Sequence, residues 1–350
     1  MALPILNPRN RFAKTEIVYF DDEQPPLHLE VHVDGSKTIL STNDSPDVPF
    51  TYGVNPYRGC MHACSYCYAR PTHEYLSFGA GTDFDRKIVV KPDAAALLRA
   101  ALSSPKWDRD EVLVFSGATD PYQPLERTYQ LTRECLEVCA DLGQRVSIIT
   151  KGVTIERDVD VLVRLRDAGS VAVTISIPFD DEEHARALEP MVTTPARRFR
   201  TIETLAAAGI AVGVNVAPIV TGLSDEQMVR VLEKARRAGA SWAGYSLLRL
   251  PGATREVFEA RLRASLPLRA EKVLARLRDA YSYGGPAKVY DSTFGRRGRG
   301  DGPHAEMIAA LFERAVDRLG FAKSSGPMLL HEAAARPRAV EKAQLSLFGG

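Results

Sequence analysis

The sequence has little of several things that would each have set its class. Cysteine is scarce and odd in number, five in 350 residues, so a disulfide-stapled secreted scaffold is excluded. Net charge is almost absent. With 45 Lys+Arg against 44 Asp+Glu the formal charge is +1, so no global field draws in nucleic acid, and an anionic partner must be met by a local patch. Long apolar runs are missing too: the longest strand-like stretch, Ile210 to Val220, is far too short to cross a bilayer. Pro4 and Asn7 interrupt the opening residues, so no secretory signal is read there and a cytoplasmic location is expected. No internal repeat is evident. What remains is ordinary globular usage, 45% hydrophobic and 25% charged, at a length that suits about two domains or one large α/β barrel with appendages.

Periodicity divides the chain. Residues 1–48, rich in Pro, Asp and Asn, read as an extended arm packed on a core made elsewhere. From 49 to 252 short β-branched runs alternate with helix-length segments, at 112–115, 146–149, 171–177, 211–216 and 242–248, after a first strand near 50–55. That alternation predicts parallel βα units, and six strands predict a partial (β/α)6 barrel of class α/β, with its chemistry at the strands' C-terminal ends. Thr194 with Pro195 opens one helix; Ser224 and Gln227 have capping-box spacing before another, which Gly239 stops. Residues 253–330 read as a mostly helical extension broken by the basic stretch 295–302, and 331–350 as a flexible tail.

Three of the five cysteines, Cys60, Cys64 and Cys67, fall within eight residues just after the first strand. This is ligand spacing. Three thiolates leave a coordination position open; structural zinc needs a fourth ligand, here His62 or His73, whereas an iron-sulfur cluster on three cysteines leaves one iron free for a substrate or cofactor.

The spacing C-x3-C-x2-C, with aromatic Tyr66 before the last cysteine, on the loop after the first strand of a partial barrel, resembles the radical S-adenosylmethionine (SAM) superfamily. That resemblance implies a 4Fe-4S cluster on Cys60, Cys64 and Cys67 whose open iron chelates SAM, and reductive cleavage to a 5′-deoxyadenosyl radical. By the same resemblance Tyr66, Ser116, Gly117, Thr119, Asp120, Lys151, Ser176 and Asn215 lie along the cofactor, with the small residues near the SAM amino group, Lys151 at its carboxylate, and Ser176 and Asn215 at its ribose. The stretch 116–120 and Thr150-Lys151 are most similar to the spore photoproduct lyase subgroup, which acts on damaged thymine in DNA. Gly117 stands where that subgroup carries a hydrogen-donor cysteine; Tyr122, Tyr68, Cys135 and Cys139 are the substitutes considered, the last two reading equally as core side chains at helical spacing. Arg197 to Arg200 and Arg296, Arg297 and Arg299 are candidate phosphate contacts, with Phe199 and Phe294 as stacking surfaces, although Arg198 or Arg200 equally suits neutralising Glu189 or Glu203.

The chain ends in an apolar pentapeptide, Gln344 to Phe348, followed by two glycines. It resembles the sliding-clamp-binding motif of bacterial replication and repair proteins, with Gln344 as anchor and Leu345, Leu347 and Phe348 as apolar contacts. The combined expectation is a radical SAM enzyme acting on DNA, lyase-like, fed by a flavodoxin or ferredoxin and tethered to the clamp. Modification of RNA or protein, or a non-catalytic iron-sulfur accessory protein, are the alternatives.

Overall fold

The computed structural model describes residues 5–13, 28–48, 50–168, 171–281 and 289–322; the clamp-like segment at 344–348 lies outside them. Ten strands occur among the described residues: β1 (Glu30–Val33), β2 (Leu40–Thr42), β3 (Tyr52–Val54), β4 (Tyr57–Arg58), β5 (Lys87–Val90), β6 (Val112–Phe115), β7 (Arg145–Thr150), β8 (Val171–Ser176), β9 (Val212–Ile219) and β10 (Ala243–Leu247).

The main sheet runs β10-β9-β8-β7-β6-β3-β2. Its six strands β3, β6, β7, β8, β9 and β10 pair in parallel, as the alternating pattern predicts, and β2 closes one edge antiparallel to β3. The sheet stays open. β6 and β8 are buried along their whole length, which is why these strands read as mainly apolar runs rather than polar–apolar alternations. The covering helices include Leu131–Leu142, Val159–Asp167, Pro195–Ala207 and Met228–Arg237. Thr194 caps the third through its hydroxyl to the Arg197 N–H, as expected. The box expected at Ser224 does not form: its hydroxyl accepts the Val220 N–H, and the Gln227 amide oxygen accepts the N–H groups of Asp180 and Asp181. Those loop donors have no ladder partner, so they take the side chains that sequence spacing had allotted to the helix start.

A second, three-stranded sheet, β1-β5-β4, lies outside the βα pattern. The arm is thus more than an appendage, since β1 pairs with β5 and β2 with β3. Beyond β10 the chain is helical at Thr254–Ser265, Pro267–Ala280 and Pro303–Leu319. No described helix is long and apolar enough to cross a membrane.

Candidate active site

One cavity of about 310 Å³ sits on the C-terminal rim of the parallel sheet, a volume within the range of small-molecule sites. Every parallel strand contributes. The loop after β3 brings Cys60, Cys64, Tyr66, Cys67 and Tyr68; β6 is followed by Ser116, Gly117, Thr119 and Asp120; β7 ends at Thr150 and Lys151, β8 at Ser176; β9 brings Asn215, and the exit of β10 brings Ser246 and Arg249.

The cysteine loop is held by buried side chains rather than by regular structure. Arg70, fully buried, donates from Nε and Nη2 to the Cys64 carbonyl at 3.0 and 2.8 Å, from Nη1 to the carbonyls of Ala80 and Gly81, and from Nη2 to Asp85. Gln123 accepts the Met61 N–H and, with Thr119, donates to the Gly59 carbonyl. Thr254, from the helical extension, donates to the Cys67 carbonyl. Neither Arg70 nor Gln123 was legible as a site residue, because each acts on backbone groups through long-range geometry.

A second buried network ties this loop to β8. The Tyr66 hydroxyl donates to Glu189; Arg198 Nη2 donates to the other Glu189 oxygen at 2.6 Å, and Arg198 Nη1 to the Ser176 carbonyl at 2.9 Å. Both members of the ion pair are fully sealed from solvent. Lys151 Nζ lies 5.8 Å from the Tyr66 ring centroid. Two cavity-lining residues, Tyr66 and Ser176, are therefore positioned by one ion pair.

At the β6 end, Asp120 accepts the N–H groups of Tyr122 and Lys151 and the Thr150 hydroxyl, and its Oδ2 lies 3.3 Å from His62 Nδ1. Distance places these two in an ion pair, although the ring nitrogen meets no hydrogen-bond geometry. Burial opposes both charges. For His62 the adjacent Asp120 and Cys60 outweigh it and raise the imidazole to about 10; for Asp120, His62, Thr150 and the Lys151 N–H outweigh it and hold the carboxyl at about 2. Asp120 thereby fixes the turn that presents Lys151. The next residue must be small, since a Cβ on Gly152 would stand 2.2 Å from the Tyr122 carbonyl oxygen. Gly117 adopts φ +110°, a conformation L side chains rarely take, and no atom lies within 4 Å of where its Cβ would be.

The thiols suit a cluster by their own chemistry. Burial raises Cys64 well above an ordinary thiol, with Glu189 next in effect, and raises Cys67 to about 11, so uncoordinated they stay protonated and inert. Iron coordination takes those protons off. The three thiols line one cavity, and a cluster held by three cysteines keeps one iron open to what enters it. The zinc alternative loses its fourth ligands. His62 faces Asp120. His73 bonds the Lys87 carbonyl through Nε2 at 2.9 Å and packs edge-on against Phe84.

Several expected residues fall elsewhere. Of the hydrogen-donor candidates only Tyr68 lines the cavity. Cys135 and Cys139 are completely buried in the main core, because the apolar face of helix Leu131–Leu142 packs inward and carries them with it. Tyr122 is buried in the same core, where burial and the neighbouring Asp158 and Glu126 carboxylates push its hydroxyl well above its usual range. Of the candidate phosphate arginines, Arg198 takes the alternative given for it and pairs with Glu189, while Arg197 is committed to Glu156, Arg296 to Asp301 and Arg297 to Asp47. Phe199 is buried under Lys234, while Phe294 is 55% exposed with Arg297 over its ring.

Residues 54–235 match the family model of the radical SAM superfamily. An uncharacterized protein of Mycobacterium tuberculosis is 39% identical over 239 residues, 68% of this chain and 69% of that one. An uncharacterized protein of Methanocaldococcus jannaschii is 28% identical over 178 residues, 51% of this chain and 64% of that one. Among solved structures, spore photoproduct lyase complexed with dinucleoside spore photoproduct superposes with a TM-score of 0.59 at 16% identity, over 83% of this chain and 80% of that chain. A variant of the same lyase with bound AdoMet and dinucleoside spore photoproduct gives 0.60 at 17%, over 87% and 86%.

Proposed function

This chain is a member of the radical SAM superfamily, enzymes that work with a 4Fe-4S cluster and SAM, and we propose that it turns that chemistry on damaged bases in DNA, in a lyase-like reaction. The observation that carries the reading is the rim cavity lined by the three thiols together with Lys151, Ser176 and Asn215. When bound, cluster and SAM supply a 5′-deoxyadenosyl radical able to take a hydrogen atom from a substrate carbon. The protein's own residues bind and orient. Cys60, Cys64 and Cys67 would hold the cluster; Lys151 would offer its ammonium to the SAM carboxylate, a charge-assisted contact; Ser176 and Asn215 would serve the ribose, and Ser116, Gly117 and Thr119 would let the backbone come close. Asp120 acts through the turn it fixes. A target base in duplex DNA must be extruded or already distorted to enter such a cavity.

The DNA assignment is supported by the fold shared with spore photoproduct lyase, and by the terminal segment from Gln344 to Phe348, which suits docking on a sliding clamp. A flavodoxin or ferredoxin is the proposed electron donor. The arm, barrel, helical extension and tail at 1–48, 49–252, 253–330 and 331–350 are the proposed divisions.

The test is anaerobic reconstitution and reduction with SAM, measuring 5′-deoxyadenosine for wild type and Cys64→Ala, with and without ultraviolet-irradiated DNA. Product that requires Cys64 and rises with damaged DNA is expected. Product indifferent to DNA removes the substrate assignment, and none from a fully loaded cluster leaves the accessory-protein reading. For the tail, Phe348→Ala is expected to abolish clamp binding in a pull-down; retained binding would sink the docking idea.

A further inference from the structure

Around the cavity mouth, charge is mostly settled within the protein. Arg297 is held by Asp47, which also accepts the Gly295 N–H at 2.7 Å. Arg296 pairs with Asp301. Arg249 is different. It lines the cavity and its guanidinium sits 5.1 Å over the Tyr68 ring, yet among the described residues its Nε is sealed from solvent without an acceptor. The carboxylate that feels its charge, Asp47, is already engaged by Gly295 and Arg297. An N–H removed from water and left unpaired costs about 1–3 kcal/mol, and no carboxylate of the described residues forms an ion pair with this guanidinium at the cavity. A guanidinium stacked on an aromatic ring is held ready for bidentate contact with an oxyanion.

Tyr68 supplies the other half. It directly follows Cys67, lines the cavity and is 45% exposed, in contrast to Tyr66 at 4%. A planar group lying against Tyr68 would therefore share the cavity with the cluster cysteines. Lys151, the other cavity cation, is the one assigned above to the SAM carboxylate, and its Nζ lies 5.8 Å from the ring centroid of buried Tyr66.

We propose that Arg249 and Tyr68 form the substrate subsite, Arg249 taking a phosphate of the nucleotide and Tyr68 stacking its base. This rests on the nucleic-acid reading above and assigns it to two residues. Arginine on phosphate fixes position, and the aromatic face accepts any base, so the pair selects a nucleotide out of its helix rather than a sequence.

The experiment uses the cluster-loaded full chain under anaerobic conditions. Binding of a short fluorescein-labelled, ultraviolet-irradiated oligothymidylate is read by anisotropy across a salt series, and SAM binding by equilibrium dialysis. Arg249→Gln is expected to weaken oligonucleotide binding about tenfold and to lower the salt slope by about 0.7, the value for one phosphate contact on a single strand. SAM binding should hold. Arg249→Lys keeps the slope and loses part of the affinity, which separates a lost contact from a damaged fold. Tyr68→Ala should weaken binding at least fivefold, as for one lost base stack, while Tyr68→Phe binds as wild type. Unchanged oligonucleotide affinity and slope in Arg249→Gln, or a loss of SAM binding in its place, overturns the subsite. A wild type that cleaves SAM yet binds no oligonucleotide overturns the DNA reading itself, and the subsite with it.

Discussion

Single residues in this protein are assigned their roles by what surrounds them. His73 has metal-ligand chemistry but is fully buried among Phe84, Phe78 and the Lys87 carbonyl, and burial lowers its pKa to about 4. A histidine depressed in the folded state contributes stability that is fully present above its unfolded value of about 6.5 and is lost as pH falls to about 4. The shift corresponds to at most about 3 kcal/mol. Urea midpoints at pH 7 and 4.5 should therefore fall further for wild type than for His73→Leu; equal falls would remove His73 from the acid response. Gly117 makes the complementary case. There is room for a side chain, yet φ is +110°, so Gly117→Ala should lower unfolding free energy by about 1–3 kcal/mol through backbone strain alone. Denaturant titration checks this, and no loss would mean the turn relaxes freely.

Elements are joined at the rim by buried polar links. The Glu189–Arg198 pair connects the cysteine loop, through Tyr66, to the end of β8 at Ser176. Removing one partner strands a charge in a sealed site. Glu189→Gln is expected to cost about 3–5 kcal/mol, whereas the paired replacement Glu189→Leu with Arg198→Met costs less. The double-mutant cycle in urea tests this, and additive losses would contradict it. Helix Leu131–Leu142 gives the opposite expectation. Its Cys135 touches core and not cavity, so Cys135→Ser should lower stability by about 1–3 kcal/mol, the cost of a buried hydroxyl. It should leave 5′-deoxyadenosine yield unchanged; a lost yield at full cluster loading would return Cys135 to the chemistry.

At the scale of the whole molecule, the six parallel strands and the cysteine loop were legible in sequence because both are local signals. A run such as Val171 to Ser176 carries its own burial requirement, and three thiols within eight residues need no partner from elsewhere to be recognised. The small sheet was not. β1 and β5 are each four residues long and separated by more than fifty positions, and such short strands acquire meaning only on pairing. The basic residues divide in the same way. Sequence offers Arg197, Arg198, Arg296 and Arg297 as phosphate contacts and names a carboxylate partner only in the Arg198 stretch, and folding brings a carboxylate to each while leaving Arg249 over Tyr68 at the cavity.

Sequence alone thus determined what is chemically available and in what order along the chain: parallel βα units, a three-thiol ligand loop after the first strand, and small or polar residues at the strand ends. Tertiary structure decided which of these residues meet. It drew Tyr66 and Ser176 to one buried ion pair, withdrew Cys135, Cys139 and Tyr122 into the core, and clamped the Cys64 carbonyl with Arg70. The physical reason is that hydrophobic periodicity is written within a single segment, whereas a desolvated charge or hydrogen-bond donor must find its partner wherever the fold brings one within about 3 Å.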